Sequence, residues 1–261
     1  MKNAAPALLA RAALALAGRV EAQENPYDVL GKALMPIANV FARDASGQAT
    51  VHALVLDAHL VEASKLPPEL QGQAVHLALM TPDAVLVQAP IAGEILTVCR
   101  DGDSLWATPG SKIQSLLEPA TADESEKKKK KRQSEAAKMM GPLELPVPQK
   151  DLVFLPVLFQ VADAGEEAVA GAPCRVLDVQ VMPELAKKLH AEDWTARLWV
   201  GADYGIVRIA LTGPDWSGTV AIDKLAFPAE LPDATFQPQG TDVLTLTPEQ
   251  FLELIGRVGR K

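Results

Sequence analysis

The chain has 261 residues, 48% of them hydrophobic but only 5% aromatic, with a formal net charge of −8. That length suits one large β domain or two small ones. The acidic balance argues against nucleic-acid binding, which needs a basic face, and no apolar run approaches the roughly 18–20 residues of a bilayer-spanning helix.

Met1-Lys2 is a charged start, residues 4–18 are apolar except for Arg11, and Val20-Glu21-Ala22 places small residues before a cut at Gln23. Residues 1–22 therefore read as an export signal. The alternative is an amphipathic helix that stays attached, which Arg11 favours by shortening the apolar core. Residues 23–261 read as a single domain with a charged insertion at about 120–140. Pro26–Ala42 is expected to be an amphipathic helix, with Leu30, Leu34, Ile37 and Phe41 at helical spacing and Pro36 as an interior kink. Gln48–Val61 alternates as a strand, and a loop holding Pro67-Pro68 follows. Two back-to-back hairpins come next. Gly72–Pro90 turns at Thr81-Pro82-Asp83 and Gly93–Pro109 at Arg100-Asp101-Gly102-Asp103, with the proline and Asp-Gly chemistry that tight turns need. Lys112–Leu117 reads as a fifth strand.

The segment around Lys127–Arg132 is a block of basic residues with acidic flanks, the pattern of a solvated insertion; contact with anionic headgroups is the functional alternative. Pro142, Pro146 and Pro148 make the return an extended connector. Beyond it, Leu152–Val161 is apolar but interrupted by Pro156, Cys174–Val181 alternates as a strand, and Pro183–Asp193 reads as a short helix. Thr195–Ala202 and Ile206–Thr212 pair through Asp203-Tyr204-Gly205, and Gly218–Phe227 is a long strand. Thr247 caps a C-terminal helix that opens at Pro248. The expected architecture is mainly β with helices: roughly nine to eleven strands in an open or barrel-like antiparallel sheet with a helix at each end.

The chemistry-bearing residues form no recognisable site. His52, His59, His76 and His190 lack metal-ligand spacing. Ser104 sits in a hairpin without the closing glycine of a nucleophile elbow. Glu166-Glu167 and Asp101/Asp103 read as loop carboxylates rather than an acid–base pair. The sequence thus calls for no cofactor and no metal, and against an enzyme. Cys99 and Cys174 fall in expected strands and are either two buried thiols or, in an oxidising compartment, a bridge. Apolar alternation remains: Leu77 and Leu79 share one strand face, Val85 and Val87 another. Aliphatic linings of this kind leave room for a ligand, or they stack into an ordinary core.

Several stretches occur in a familiar order. A helix at Pro26–Ala42 precedes the first strand, and the Thr81-Pro82-Asp83 turn is followed by Val85, Val87 and Ala89. Arg100-Asp101-Gly102-Asp103-Ser104-Leu105-Trp106 comes next, then Leu198-Trp199-Val200 with Asp203-Tyr204-Gly205. Leu231-Pro232-Asp233-Ala234-Thr235-Phe236 closes the series, with Pro238 and Thr241-Asp242-Val243. Over residues 27–245 this order resembles the periplasmic lipoprotein-carrier family (LolA-like, the LolA–LolB superfamily). The chain departs from that family in its polybasic insertion, in the length of Pro183–Asp193, and in having Val85 and Val87 where bulky aromatics often occur.

The resemblance implies an open, strongly curved antiparallel half-barrel with a helical lid. Its cavity would be lined by Leu34, Ile37, Phe41, Leu77, Leu79, Val85 and Val87 and would hold the acyl chains of lipid-modified proteins. It further implies a soluble monomeric shuttle in the periplasm, served by inner-membrane release machinery and an outer-membrane acceptor. The absence of a cysteine before Cys99 argues against a lipid anchor of its own. The alternative is an envelope protein that binds another hydrophobic ligand or acts as an assembly scaffold.

Overall fold

The computed structural model describes residues 24–43, 52–65, 71–91, 93–117, 141–143 and 148–258; the expected signal and the basic run Lys127–Arg132 lie outside the described residues. A single open antiparallel sheet of eleven strands organises the chain, with the order β11-β5-β4-β3-β2-β1-β10-β9-β8-β7-β6.

The first half supplies β1 (Ala53–Ala63), β2 (Ala74–Met80), β3 (Ala84–Ile91), β4 (Glu94–Asp101) and β5 (Ser104–Thr108). The second half supplies β6 (Phe159–Val169), β7 (Ala172–Val181), β8 (Thr195–Val200), β9 (Ile206–Thr212), β10 (Ser217–Ala226) and the short β11 (Leu244–Thr245). β1–β5 and β6–β10 are each meanders in which successive strands pair antiparallel, although residues 182–194 make a longer connection between β7 and β8, and β11 pairs with β5 at the far edge. β1 pairs with β10, and so joins the two meanders into one sheet.

Helix α1 (Pro26–Phe41) starts at Asn25, whose side chain accepts the Tyr27 N–H, and carries Pro36 in its interior. Helices α2 (Gly110–Leu117), α3 (Pro183–Leu189) and α4 (Pro248–Val258) follow. A 3-10 segment, Gln149–Leu158, runs beside α1, and a second covers Asp233–Phe236. Thr247 and Gln250 cap α4 reciprocally, the Thr247 hydroxyl accepting the Gln250 N–H and the Gln250 side chain accepting the Thr247 N–H.

Two expectations are corrected. Residues 112–117 form part of α2, not a fifth strand: Ile113, Leu116 and Leu117 recur at i, i+3, i+4 and pack on Leu96, Leu105 and Phe251. Glu166 and Glu167 lie in β6 rather than in a loop. That strand is at the sheet's edge and mostly exposed, so no apolar alternation marks it; a bulge at Asp163/Gly165 and its charges suit an edge.

The core is divided by the sheet. One face carries α1, α2 and α4. The other is covered on the β3–β5 wing by the 233–236 segment, where the Cys99 thiol and the Trp106 indole N–H both donate to the Phe236 carbonyl, at 3.4 and 3.0 Å. Cys99 and Cys174 are free and buried. They stand on β4 and β7, seven positions apart in the sheet order, or roughly 34 Å along it at about 4.8 Å per strand. A disulfide needs Cα atoms within about 7 Å.

Candidate functional site

Strand register decides which side chains share a surface. Val98, Val87, Leu77, Leu56 and Leu225 are successive partners across β4, β3, β2, β1 and β10. Val85, Leu79 and Leu54 form a parallel row one step away. Val220, Ile209, Leu198 and Leu177 continue the same face across β10, β9, β8 and β7. The result is one apolar surface running through both meanders. Arg100 is its polar exception on β4, partnered with Val85 in register, and its guanidinium donates to the Gly141 carbonyl at 2.9 Å.

Helix α1 crosses this surface toward one end of the strands. Val29, Leu30 and Ala33 pack on Leu177, Leu198, Val200 and Ile206, and Val40 packs on Leu54 and Leu79. Its other flank receives the 3-10 segment: Ala38 and Ala42 meet Leu152, and a Cβ added to Gly31 would lie 3.1 Å from Pro156. Gly31 thus permits the two segments to touch.

The start of α1 is fastened to the sheet by a polar cluster. Arg175 on β7 donates to the Glu24 carbonyl and to Asp163 on β6, each at 2.5 Å. Lys32 pairs with Glu24 and donates to the Tyr204 hydroxyl at 3.0 Å, and that hydroxyl donates to Glu24 at 3.0 Å. The Lys32 hydrogen bond, chiefly, holds the Glu24 carboxyl below its ordinary pKa. Burial pushes Asp163 up, but the Gly165 N–H and the Arg175 guanidinium outweigh it and leave its pKa lowered.

Coverage fades toward the opposite end of the strands. Along β2, Leu79 is 6% exposed, Leu77 is half-buried and Val75 is 37% exposed. On β9 Leu211 reaches 38%. Leu60, Leu77 and Val87 are half-buried between them. This incompletely covered strip runs from β3 to β9, four strand spacings or roughly 19 Å. An apolar surface that α1 leaves part-open is what an acyl chain or similar ligand could enter.

The residues singled out from sequence fall on or against this face. Leu34 and Ile37 border the β6–β10 cluster. Ile37, Phe41, Leu77 and Leu79 surround Val40 and Leu54. Val85 belongs with the cluster under α2 and α4, and Val87 lies between Leu77 and Val98 in register. Sequence reasoning missed Leu56, Leu60, Val75 and Leu211. The alternation of β1 carried a signal for the first two, and only the assembled register places the others.

The other face of β6–β10 is different. A cavity of about 780 Å³ lies there, with Glu62, Glu167, Asp178, Arg197 and several Thr and Gln side chains in its lining; none of the residues named above as cavity candidates borders it. Trp199 donates to Glu167 at 2.8 Å, Arg197 to Asp178 at 2.7 Å and Thr219 to Glu62 at 3.2 Å, so each of these charged groups has a partner. A smaller cavity of about 310 Å³ lies between Pro36, Val40, Ala53 and Phe227. Among the described residues no cluster of His, Cys, Asp and Glu could hold a metal ion.

No family model matches the chain and no curated protein does. Solved structures similar to it include the lipoprotein LppX of Mycobacterium tuberculosis, at 12% identity and a TM-score of 0.38 over 76% of this chain and 93% of that one. The MucA/MucB complex of Pseudomonas aeruginosa gives 12% and 0.38 over 85% of this chain and 63% of its counterpart. A LolA superfamily protein of Nitrosomonas europaea gives 11% and 0.27 over 82% and 97%. Among the described residues no helix is long and apolar enough to cross a membrane.

Proposed function

We propose that this protein is a non-enzymatic carrier that shields the acyl chains of lipid-modified proteins on the apolar face beneath α1, and that it works in the periplasm as a monomer. The observation that carries this reading is the burial gradient along β2, from Leu79 at 6% to Val75 at 37%, on a face that is apolar across both meanders. A packed core would close over such a face. A site for polar substrates would place hydrogen-bonding groups on it. Each methylene moved out of water contributes about 0.8 kcal/mol, so partial coverage gives useful affinity while leaving a route for release. Inner-membrane release machinery and an outer-membrane acceptor are the partners such a cycle requires.

The test compares two neighbouring substitutions. Val87 is on the apolar face, whereas Gln88 points to the other side and donates to Thr97 at 3.2 Å. Val87→Glu would bury a carboxylate against the ligand and is expected to weaken binding of a fluorescent fatty-acyl probe at least tenfold. Gln88→Glu is expected to leave binding within twofold. Equal binding by the two variants, both folded by circular dichroism, would remove Val87 from the site. A wild-type protein that binds no acyl probe and carries no lipid or lipopeptide by mass spectrometry after gentle purification would end the carrier reading in favour of a scaffold.

A further inference from the structure

The 3-10 segment Gln149–Leu158 buries Leu152 and Pro156 and packs the half-buried Leu155 beside α1, but turns Val153, Phe154, Val157 and Leu158 outward. Val153, Phe154 and Val157 are 61%, 65% and 64% exposed, and Leu158 is 44% exposed. The Leu158 carbonyl accepts the Met182 N–H at 2.9 Å, which brings the 39%-exposed Met182 beside it. Scattered exposed apolar residues are ordinary; a contiguous group of this size on one short segment marks an interaction surface.

Its position in the fold is informative. Leu158 leads into Phe159, the first residue of β6, which pairs with Val181, the last residue of β7. By the antiparallel register this is the strand end that also carries Leu211, Val75 and Leu60, the end where the apolar face is least covered.

We infer that Val153, Phe154, Val157, Leu158 and Met182 form a membrane-docking tip that seats the open end of the apolar face on a lipid bilayer. This inference rests on the carrier reading for its purpose, although not for its geometry. The composition favours a bilayer over a protein partner. The tip contains neither Trp, Tyr nor Arg, the residues that dominate protein–protein hot spots. It has Phe and aliphatic side chains with lysines at its margins: Lys150 at the start of the segment, and Lys187 and Lys188 in the last turn of α3. Lysine stems lie along apolar surface while their ammonium groups reach the headgroups. Asp151 and Glu184 are also at these margins, and Glu184 lies 3.9 Å from Lys187. The exposed Glu192 and Asp193 follow α3, and the Glu192 carbonyl accepts from Gln180 beside the end of β7, so three lysines stand against four carboxylates; apolar insertion supplies the attraction and anionic lipid adds none.

The experiment is co-sedimentation of the full chain with vesicles of phosphatidylcholine alone and with 30% phosphatidylglycerol. The wild type is expected to partition onto both, to within about twofold of one another. Phe154→Asp/Val157→Asp alters only exposed side chains; it is expected to keep the wild-type melting temperature and its affinity for a soluble acyl probe, and to lose at least tenfold in partitioning. Lys150→Glu/Lys187→Glu/Lys188→Glu is expected to keep its partitioning onto phosphatidylcholine and to lose it on the anionic vesicles, through like-charge repulsion. A wild type that binds neither vesicle, or a double variant that partitions like the wild type, overturns the docking tip. A wild type that runs as a dimer which the double variant dissolves reassigns the patch to self-association and likewise overturns it. Loss of acyl-probe binding by the wild type would sink the carrier reading instead, and is read separately.

Discussion

Arg175 ties together three parts of the chain that no sequence window would connect: Asp163 on the adjacent strand, the Glu24 carbonyl and, through Glu24, Lys32 on α1. Its side chain is 15% exposed and that of Asp163 21%, so the pair is only weakly screened. Hydrogen bonds to charged groups contribute about 1.5–3 kcal/mol, and a chain of this size loses roughly 2–4 °C of Tm per kcal/mol. Arg175→Ala is therefore expected to lower Tm by about 3–12 °C, measured by thermal circular dichroism at pH 7. The pH dependence has a definite sign. Against the upward push of burial, the Gly165 N–H and the Arg175 guanidinium lower the Asp163 pKa, so its stabilisation is complete above the ordinary carboxylate range near 4 and is lost as pH falls through the depressed folded value. The gap between wild type and Arg175→Ala should accordingly narrow between pH 5 and about pH 2, and a gap that widens on acidification would contradict the assignment. Cys99 is a second residue set by its surroundings: burial first, and then Asp101, push its thiol up to about 12. It should stay unreactive toward a thiol reagent in the folded protein at pH 8 and react only on unfolding.

At the scale of elements, turn chemistry was legible and edges were not. Thr81-Pro82-Asp83 and Asp101-Gly102 mark hairpins in the sequence, and β2 to β5 lie where those turns put them. The apolar pairs Leu77/Leu79 and Val85/Val87 could be assigned to strand faces by period alone, and register then placed both pairs on one surface. The cover over that surface was less legible. Leu34, Ile37 and Phe41 suggested one apolar stripe on α1, but the helix buries two flanks, with Val29, Leu30, Ala33 and Val40 toward the sheet and Ala38 toward the 3-10 segment. That second flank depends on Leu152, more than a hundred residues away. Helix α2 was misread because residues 112–117 are too few to separate a period of 2 from one of 3.6. Its seat depends on Gly110, where an added Cβ would lie 2.8 Å from the Leu244 nitrogen and 2.9 Å from the Val243 carbonyl carbon. Gly110→Val is expected to cost about 1–3 kcal/mol by overpacking and to raise hydrogen exchange in β11 and α4 before β6–β10. Exchange that rises evenly across the sheet would show that α2 and β11 are not a separable corner.

For the molecule as a whole, the sheet order places the two meanders side by side with β1 and β10 as the join, so that both strands would become open edges if the halves came apart. Separate unfolding of the halves would expose that join and the apolar face that runs across it, so calorimetry should give a single transition with equal van't Hoff and calorimetric enthalpies. The insertion expected from sequence at about 120–140 bears on the same question. Its two flanks are held in one wing: α2 packs on Leu96 and Leu105, while the Gly141 carbonyl accepts from Arg100 and the Leu143 N–H donates to the Pro82 carbonyl. A short connection can therefore replace the long one without pulling either end off the sheet. Its sequence is polar and heavily charged, with Lys127–Arg132 between acidic flanks, and so has little apolar surface to bury. Deleting Ala122–Lys138 is expected to leave Tm within about 3 °C, to keep the single transition, and to preserve acyl-probe affinity within twofold. A large fall in Tm, or a transition that splits in two, would mean that the charged segment helps hold the meanders together, and the reading of one domain interrupted by an insertion would have to give way.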